Sequence, residues 1–222
     1  MGYSVLENAL ALAKNEVRVF PVFGINDQNK CTCRREKCDS PGKHPVEGGW
    51  QSKASKDVNK VTRWFQNRDD LNYGIVFPRD KIVLDIDAKT EGEKSFEQFK
   101  DQYEEKNIKL EVKTGGGGRH IWFCVKDEWN PQLRVKNLVS FLPGIDIRSQ
   151  GGFVVGPGSR HKSGNFYSYD GDIKYFDFRS APPIWMFKPL RDLIAKNALH
   201  AKVKKNKNWQ AILLPATLAK PQ

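Results

Sequence analysis

Along the chain the apolar residues change period several times, and each change marks an element. Leu6, Leu10 and Ala13 recur at helical spacing behind Ser4 and Glu7, a capping-box pair, which predicts a helix over 4–15. The β-branched and aromatic run VRVFPVF predicts a strand over 17–23. Val58, Val61 and Phe65 return to helical spacing and predict a helix over 56–67. YGIVF (73–77) and KIVLDID (81–87) read as two strands joined by a turn at 78–80. Thr90 and Glu93 repeat the capping-box pattern, and Phe96, Phe99 and Tyr103 mark the stripe of a helix over 91–106. Strands then dominate, at 109–113, 120–126, 144–148, 152–156 and 165–169, with polar or Gly/Pro turns between them. A last helix is expected at 184–197. Helices and strands mix early and antiparallel strands follow, which predicts an α+β fold of two halves around a central cleft.

Composition narrows the class. A chain of 222 residues suits one large domain or two small ones sharing a core. With 39% hydrophobic and 28% charged residues the balance is that of a soluble globular protein. No apolar run approaches the ~20 residues of a membrane span. The first residues lack a basic segment followed by a long apolar core. A cytoplasmic protein without membrane contact is expected. The net charge of +11 is concentrated in two places. Residues 188–222 carry eight Lys/Arg against Asp192, and residues 30–45 carry five against Glu36 and Asp39. Two basic patches fit a polyanion reached from particular faces, although KVKKNKN (202–208) alone also reads as a solvated tail.

The strand KIVLDID carries acids where a strand normally buries apolar side chains. Alternation sets Ile82, Leu84 and Ile86 on one face and Val83, Asp85 and Asp87 on the other. Neighbouring carboxylates on one face repel unless a cation neutralises them, and Mg²⁺ or Mn²⁺ prefers such hard oxygen ligands. Aspartates solvated at a strand end are the simpler alternative. In PGIDIRSQGG, Asp146 and Arg148 share a face opposite Ile145 and Ile147. A surface ion pair between them would be worth little. Three strand aspartates together suit a two-metal site, where the ions activate the attacking oxygen and hold the reacting phosphate.

KTGGGGRHIWF (113–123) leads into a strand, not a helix, so it is neither a Walker A loop nor a dinucleotide fingerprint. It reads either as a plain turn or as a place where an anion approaches backbone N–H groups. His120 follows the glycines as a side-chain donor, with Arg119 and Arg148 as further cations.

Taken in order, these segments resemble the primase–polymerase (prim-pol) branch of the archaeo-eukaryotic primase superfamily. The family pattern of hhhDhD, small-x-His and hD is matched by IVLDID, GRH and GID, over about residues 5 to 190. CTCRREKCDSPGKHP before the first motif and GGFVVGPGSRH after the third look similar as well. The resemblance implies DNA-directed nucleotidyl transfer, with Asp85, Asp87 and Asp146 holding two Mg²⁺ or Mn²⁺ ions. It implies that His120 holds the triphosphate, helped by the backbone of Gly117 and Gly118. Arg119, Arg148, Ser159, His161 and Lys43 are further nucleotide contacts to test. The fold it implies is an RRM-like half packed on an α/β half. The catalytic domain would span 1–190, with a basic extension at 191–222 that is the possible start of a further domain. Partners would be template and primer DNA and a dNTP or NTP, with room for a helicase or an accessory helical domain in a longer chain. Where the family often has serine, this chain has Gly118, so a hydroxyl contact to phosphate is lost there.

Cys31, Cys33, Cys38 and His44 give the spacing C-x-C-x4-C-x5-H inside the loop 27–45. Three cysteines and a histidine suit a closed tetrahedral zinc site that would order this polar loop. Free thiols in a reducing compartment are the alternative, with Lys43 and His44 facing the cleft instead. Two other functions compete with nucleotidyl transfer: a metal-dependent nuclease or nicking enzyme on the same carboxylates, and a non-catalytic zinc-containing nucleic-acid-binding module. A rolling-circle nicking enzyme wants a His-hydrophobic-His pair, which the sequence lacks.

Overall fold

The computed structural model describes residues 4–77, 81–100, 110–124 and 137–173. Among them the chain is mixed α/β with two antiparallel sheets. In order the elements are α1 (Val5–Lys14), β1 (Val19–Phe23), α2 (Trp50–Lys53), α3 (Val58–Phe65), β2 (Leu71–Val76), β3 (Lys81–Ile86), α4 (Gly92–Lys100), β4 (Glu111–Lys113), β5 (Arg119–Cys124), β6 (Leu138–Leu142), β7 (Ile145–Arg148), β8 (Phe153–Val155) and β9 (Ser168–Tyr169). The helix expected over 184–197, the basic run 188–222 and Tyr103 lie outside the described residues. No helix among the described residues is long and apolar enough to cross a membrane.

Local chemistry explains where the helices begin. At α1 the capping box forms as the sequence predicts: Glu7 N donates to Ser4 Oγ at 3.2 Å and Ser4 N donates to Glu7 Oε2 at 2.7 Å. Asp57 caps α3 by accepting from Lys60 N at 2.6 Å. The capping box expected at Thr90 does not form. Thr90 Oγ1 donates to Asp87 O at 3.2 Å instead, and Glu93 turns to Arg119. A tertiary ion pair has taken the side chain that the cap required.

The smaller sheet has the order β1-β2-β8 and the larger one β6-β7-β3-β5-β4-β9. β2 and β3, neighbours in sequence, therefore do not form a hairpin. Each is flanked on both sides by other strands, β2 by β1 and β8, β3 by β5 and β7, so each is a central strand of its own sheet. That explains their nearly unbroken burial.

The larger sheet has two unlike faces. Ile82, Leu84, Ile86, Ile121, Ile145 and Ile147 are all buried, and α4 packs on β3 and β7 with Phe96 inside. On the other face Val83 and Trp122 join the main core with α1, α3 and β2, through Leu12, Val61, Phe65, Tyr73 and Ile75. Toward the β3 C-terminus that face changes from apolar to ionic within one strand, where Val83 gives way to Asp85. The change places the candidate chemistry at the edge of the main core.

Candidate active site

β3 is the keel of the site. Asp85 lies directly opposite His120 on β5 and directly opposite Asp146 on β7. Residues opposed in antiparallel strands share a face, so the three side chains form one row across three strands. Arg148 lies two positions along β7 on the same face. The first acid of the acid-x-acid pattern and the separate motifs at 120 and 146 are thereby brought to one place.

Hydrogen bonds knit this row. His120 Nε2 stands 3.5 Å from Asp85 Oδ1. The Arg148 guanidinium spans the two acids, donating to Asp85 Oδ2 at 3.2 Å and to Asp146 Oδ2 at 2.8 Å. Burial by itself would raise the Asp85 carboxyl; His120 and Arg148 outweigh it and hold the group down to about 2. The other oxygen of Asp146 accepts from Ser140 N at 2.7 Å. Ser140 has φ +55 and lies where β6 shifts register against β7. A bulge at this point aims a backbone N–H at the carboxylate, which no sequence pattern announced.

Asp87 is placed differently. It sits just past the end of β3, exposed, with Oδ1 accepting from Lys89 N at 2.9 Å. The three aspartates do not converge into a metal-sized ligand set among the described residues, because a guanidinium stands between two of them. Their donor chemistry nevertheless fits a hard divalent cation, and Arg148 already occupies the position of a neutralising positive charge.

The glycine run is a tight hairpin turn between β4 and β5. Thr114 closes it: Thr114 O accepts from Gly117 N at 2.9 Å, and Thr114 Oγ1 accepts from Gly118 N at 3.0 Å. The N–H groups of Gly117 and Gly118 are thus committed inside the turn, not directed at an anion. Gly117 has φ +93, a conformation that side chains resist. At Gly118 a Cβ would stand 2.1 Å from Ile86 O, so glycine is what lets the turn lie against the end of β3. At Gly115 a Cβ would meet His161 Cβ at 2.3 Å.

A basic rim faces the acids. His161 is buried against the turn, with Nδ1 accepting from Ser163 N at 3.2 Å. Its imidazole is lowered to about 4, by burial first and then by the charges of Lys43, Lys89 and Lys162. Lys43 comes from the cysteine loop. Its ammonium is lowered by loss of solvent, while Asp85 and Asp87 pull the other way. Tyr167 is buried between the two histidines, its ring centroid 5.9 Å from His120 and 6.1 Å from His161. Lys89, Lys162 and Tyr167 carry no motif that sequence reading had picked out.

Two predicted contacts go elsewhere. Arg119 alternates with His120 along β5 and points to the opposite face. There it pairs with Glu93 and Glu111 and lies 4.8 Å over the Phe96 ring. Its charge is spent holding α4 to the sheet. Ser159 is fully buried beneath the rim, its Oγ accepting from Tyr73 N at 3.4 Å. A cleft of about 1200 Å³ is lined in part by Asp27, Arg68, Arg160, Phe166 and Tyr167. It contains none of the acidic row.

The cysteine loop gathers a separate cluster. The ligand atoms of Cys31, Cys33, Cys38 and His44 all lie within 4.8 Å of one another. His44 Nε2 stands 3.4 Å from both Cys31 Sγ and Cys38 Sγ. Zn–S bonds of ~2.3 Å and a Zn–N bond of ~2.0 Å at tetrahedral angles require S–N edges of roughly 3.5 Å. The residues fit zinc. Burial first, and then the neighbouring sulfurs, push the Cys38 thiol up to about 11.

Compared with known families, residues 9–182 match the model of the Prim-Pol domain, described as bifunctional DNA primase/polymerase, N-terminal. No curated protein matches the chain.

Proposed function

The chain belongs to the Prim-Pol family of bifunctional DNA primase/polymerase N-terminal domains, and from that premise we propose that it transfers nucleotides to DNA at the Asp85–His120–Asp146 row. Primase/polymerase-type chemistry on DNA and nucleotides follows from the family; the roles of individual residues are our reading. The row itself carries the reading, because it brings the acid of the first motif, the histidine of the second and the acid of the third onto one face of three adjacent strands.

In this reading Asp85, Asp146 and the exposed Asp87 hold Mg²⁺ or Mn²⁺. Two such ions, when bound, favour attack of a 3′-hydroxyl on the α-phosphate and neutralise the departing pyrophosphate. The protein's own part is positioning. Asp85 is kept ionised by His120 and Arg148, ready to bind a cation without first losing a proton. His120, Lys43, Lys89, Lys162 and His161 supply donors and positive charge for the triphosphate. Arg148, paired with Asp85 and Asp146, is the cation that a divalent ion at these carboxylates would have to displace, and its guanidinium would then be free to pair with a phosphate. The hairpin contributes shape: Gly115 and Gly118 let His161 and β3 close in, while the N–H groups of Gly117 and Gly118 stay bonded to Thr114.

The strand order β7-β3-β5-β4, with α4 as the crossover after β3, supports the RRM-like reading of this half. We keep 1–190 as the catalytic domain, with the zinc loop 27–45 inserted, and 191–222 as a basic extension. The deciding experiment is incorporation of labelled nucleotide on a primed template with Mn²⁺. The Asp85→Ala/Asp87→Ala double variant loses incorporation; undiminished activity in that variant removes the proposal.

A further inference from the structure

Asn72, the second residue of the hydrophobic strand β2, is a buried amide, 2% exposed. Such a group needs partners, and it has three. Its Nδ2 donates to Gly42 O and to Arg160 O, each at 2.9 Å, and its Oδ1 accepts from Arg160 N at 2.9 Å. Gly42 precedes Lys43, and Arg160 precedes His161. One side chain of β2 therefore fixes the backbone just before each of two basic residues, on two loops distant in sequence.

Lys43 is fixed from its other side as well. The next residue, His44, is a ligand of the cysteine cluster, and its carbonyl accepts from Phe23 N at 3.0 Å. The loop between has no core of its own: within 27–45 only Gly42 is buried. A metal ion is the term that would order it. Lys43 thus stands between a metal ligand and a residue hung on Asn72, and its side chain reaches the field of Asp85 and Asp87.

We propose that the Cys31/Cys33/Cys38/His44 metal clamp and Asn72 form one positioning unit that presents Lys43 and His161 to the phosphates of the nucleotide. Zinc in the clamp then sets nucleotide affinity, and the loop is part of the nucleotide site instead of a remote scaffold. The inference rests on the reading of the Asp85–His120–Asp146 row as the nucleotide site.

The test is a nucleotide titration without primer, so that nothing turns over, reading Kd from a fluorescent nucleoside triphosphate. Four proteins are compared: the unaltered chain, Lys43→Met, Cys38→Ser and the double variant, each with its zinc content measured. Lys43→Met raises Kd about tenfold, as expected for one charge-assisted phosphate contact. Cys38→Ser, with zinc lost, raises it by a similar factor, and the double variant is no weaker than the weaker single one. Should Cys38→Ser fail to fold, the unaltered chain treated with a zinc-selective chelator takes its place, with circular dichroism as the control. Asn72→Ala, which frees both loops without touching a metal ligand, raises KM for nucleotide with kcat little changed. Zinc-free protein that binds nucleotide as tightly as before overturns the inference, as do effects of zinc loss and Lys43→Met that multiply. A Kd unmoved by Lys43→Met, His120→Ala and His161→Ala alike removes the nucleotide reading beneath it.

Discussion

Arg148 lies across Asp85 and Asp146 with its guanidinium where positive charge is needed. On the proposed reading a divalent cation competes with it, so Arg148→Met has effects of opposite sign. Mn²⁺ alone binds more tightly, by several-fold, because no cation has to be displaced, whereas nucleotide binds about tenfold more weakly through loss of a charge-assisted contact. Paramagnetic relaxation for Mn²⁺ and fluorescence for nucleotide read the two separately; parallel changes would falsify the exchange. His161 gives a pH test. Its folded value of about 4 lies below the ordinary ~6.5 of an unfolded histidine, because burial and three lysines oppose its charge. The unfolded chain then binds the proton more readily, so this contribution is complete above pH ~6.5 and is lost as pH falls toward 4. The loss is on the order of 2 kcal/mol. Denaturant unfolding at pH 7 and at pH 4.5 shows it as a difference that His161→Gln reduces. Bound triphosphate, being anionic, moves the His161 NMR titration upward.

At the scale of elements, the β4–β5 hairpin is held by Thr114 and by its close approach to β3, and α4 by Arg119. Gly118→Ala drives a Cβ into the backbone of β3, whose carbonyl cannot give way as a side-chain tip would. It costs about 1–3 kcal/mol, seen as a lower urea midpoint, and it displaces the turn on which His161 rests. Arg119→Met removes the tie from β5 to Glu93 and Glu111 and destabilises by about 1 kcal/mol. Nucleotide affinity survives that change, because Arg119 faces α4 and not the acidic row. A nucleotide Kd weakened tenfold by Arg119→Met would show that the sheet presents both faces to the ligand.

Over the whole molecule, charge is segregated. Acids line the centre of the larger sheet, bases stand on the rim, and the sequence adds a basic run at 188–222 beyond the described residues. Binding of single-stranded DNA should therefore weaken steeply with salt, with log K falling by roughly 0.7 per phosphate neutralised for each tenfold rise in salt concentration. Shortening the chain to 1–190 flattens that slope; an unchanged slope places the DNA contacts elsewhere. The two sheets meet through one apolar core, and the site lies where that core ends. Mutations at Val83 or Trp122 thus act on the row through the shared strands.

The sequence by itself determined the elements with strong periodicity, the order of the acidic, histidine and cysteine motifs, and the sharing of faces along single strands. Those follow from spacing of two or 3.6 residues, which is local. Asp85 facing the opposite way from Leu84, and Asp146 from Ile147, were legible for that reason. Only the tertiary structure decided which strands lie side by side. It put β2 and β3 in different sheets despite their adjacency, and opposed Asp85 to both His120 and Asp146. It turned Arg119 to Glu93 and spent the N–H groups of Gly117 and Gly118 on Thr114. It also supplied the parts without a motif: the Ser140 N–H at a bulge, Tyr167 between two histidines, and Asn72 joining two loops. Each depends on register between distant segments, and register is set by how buried faces and polar groups are satisfied together, not by any short run of residues.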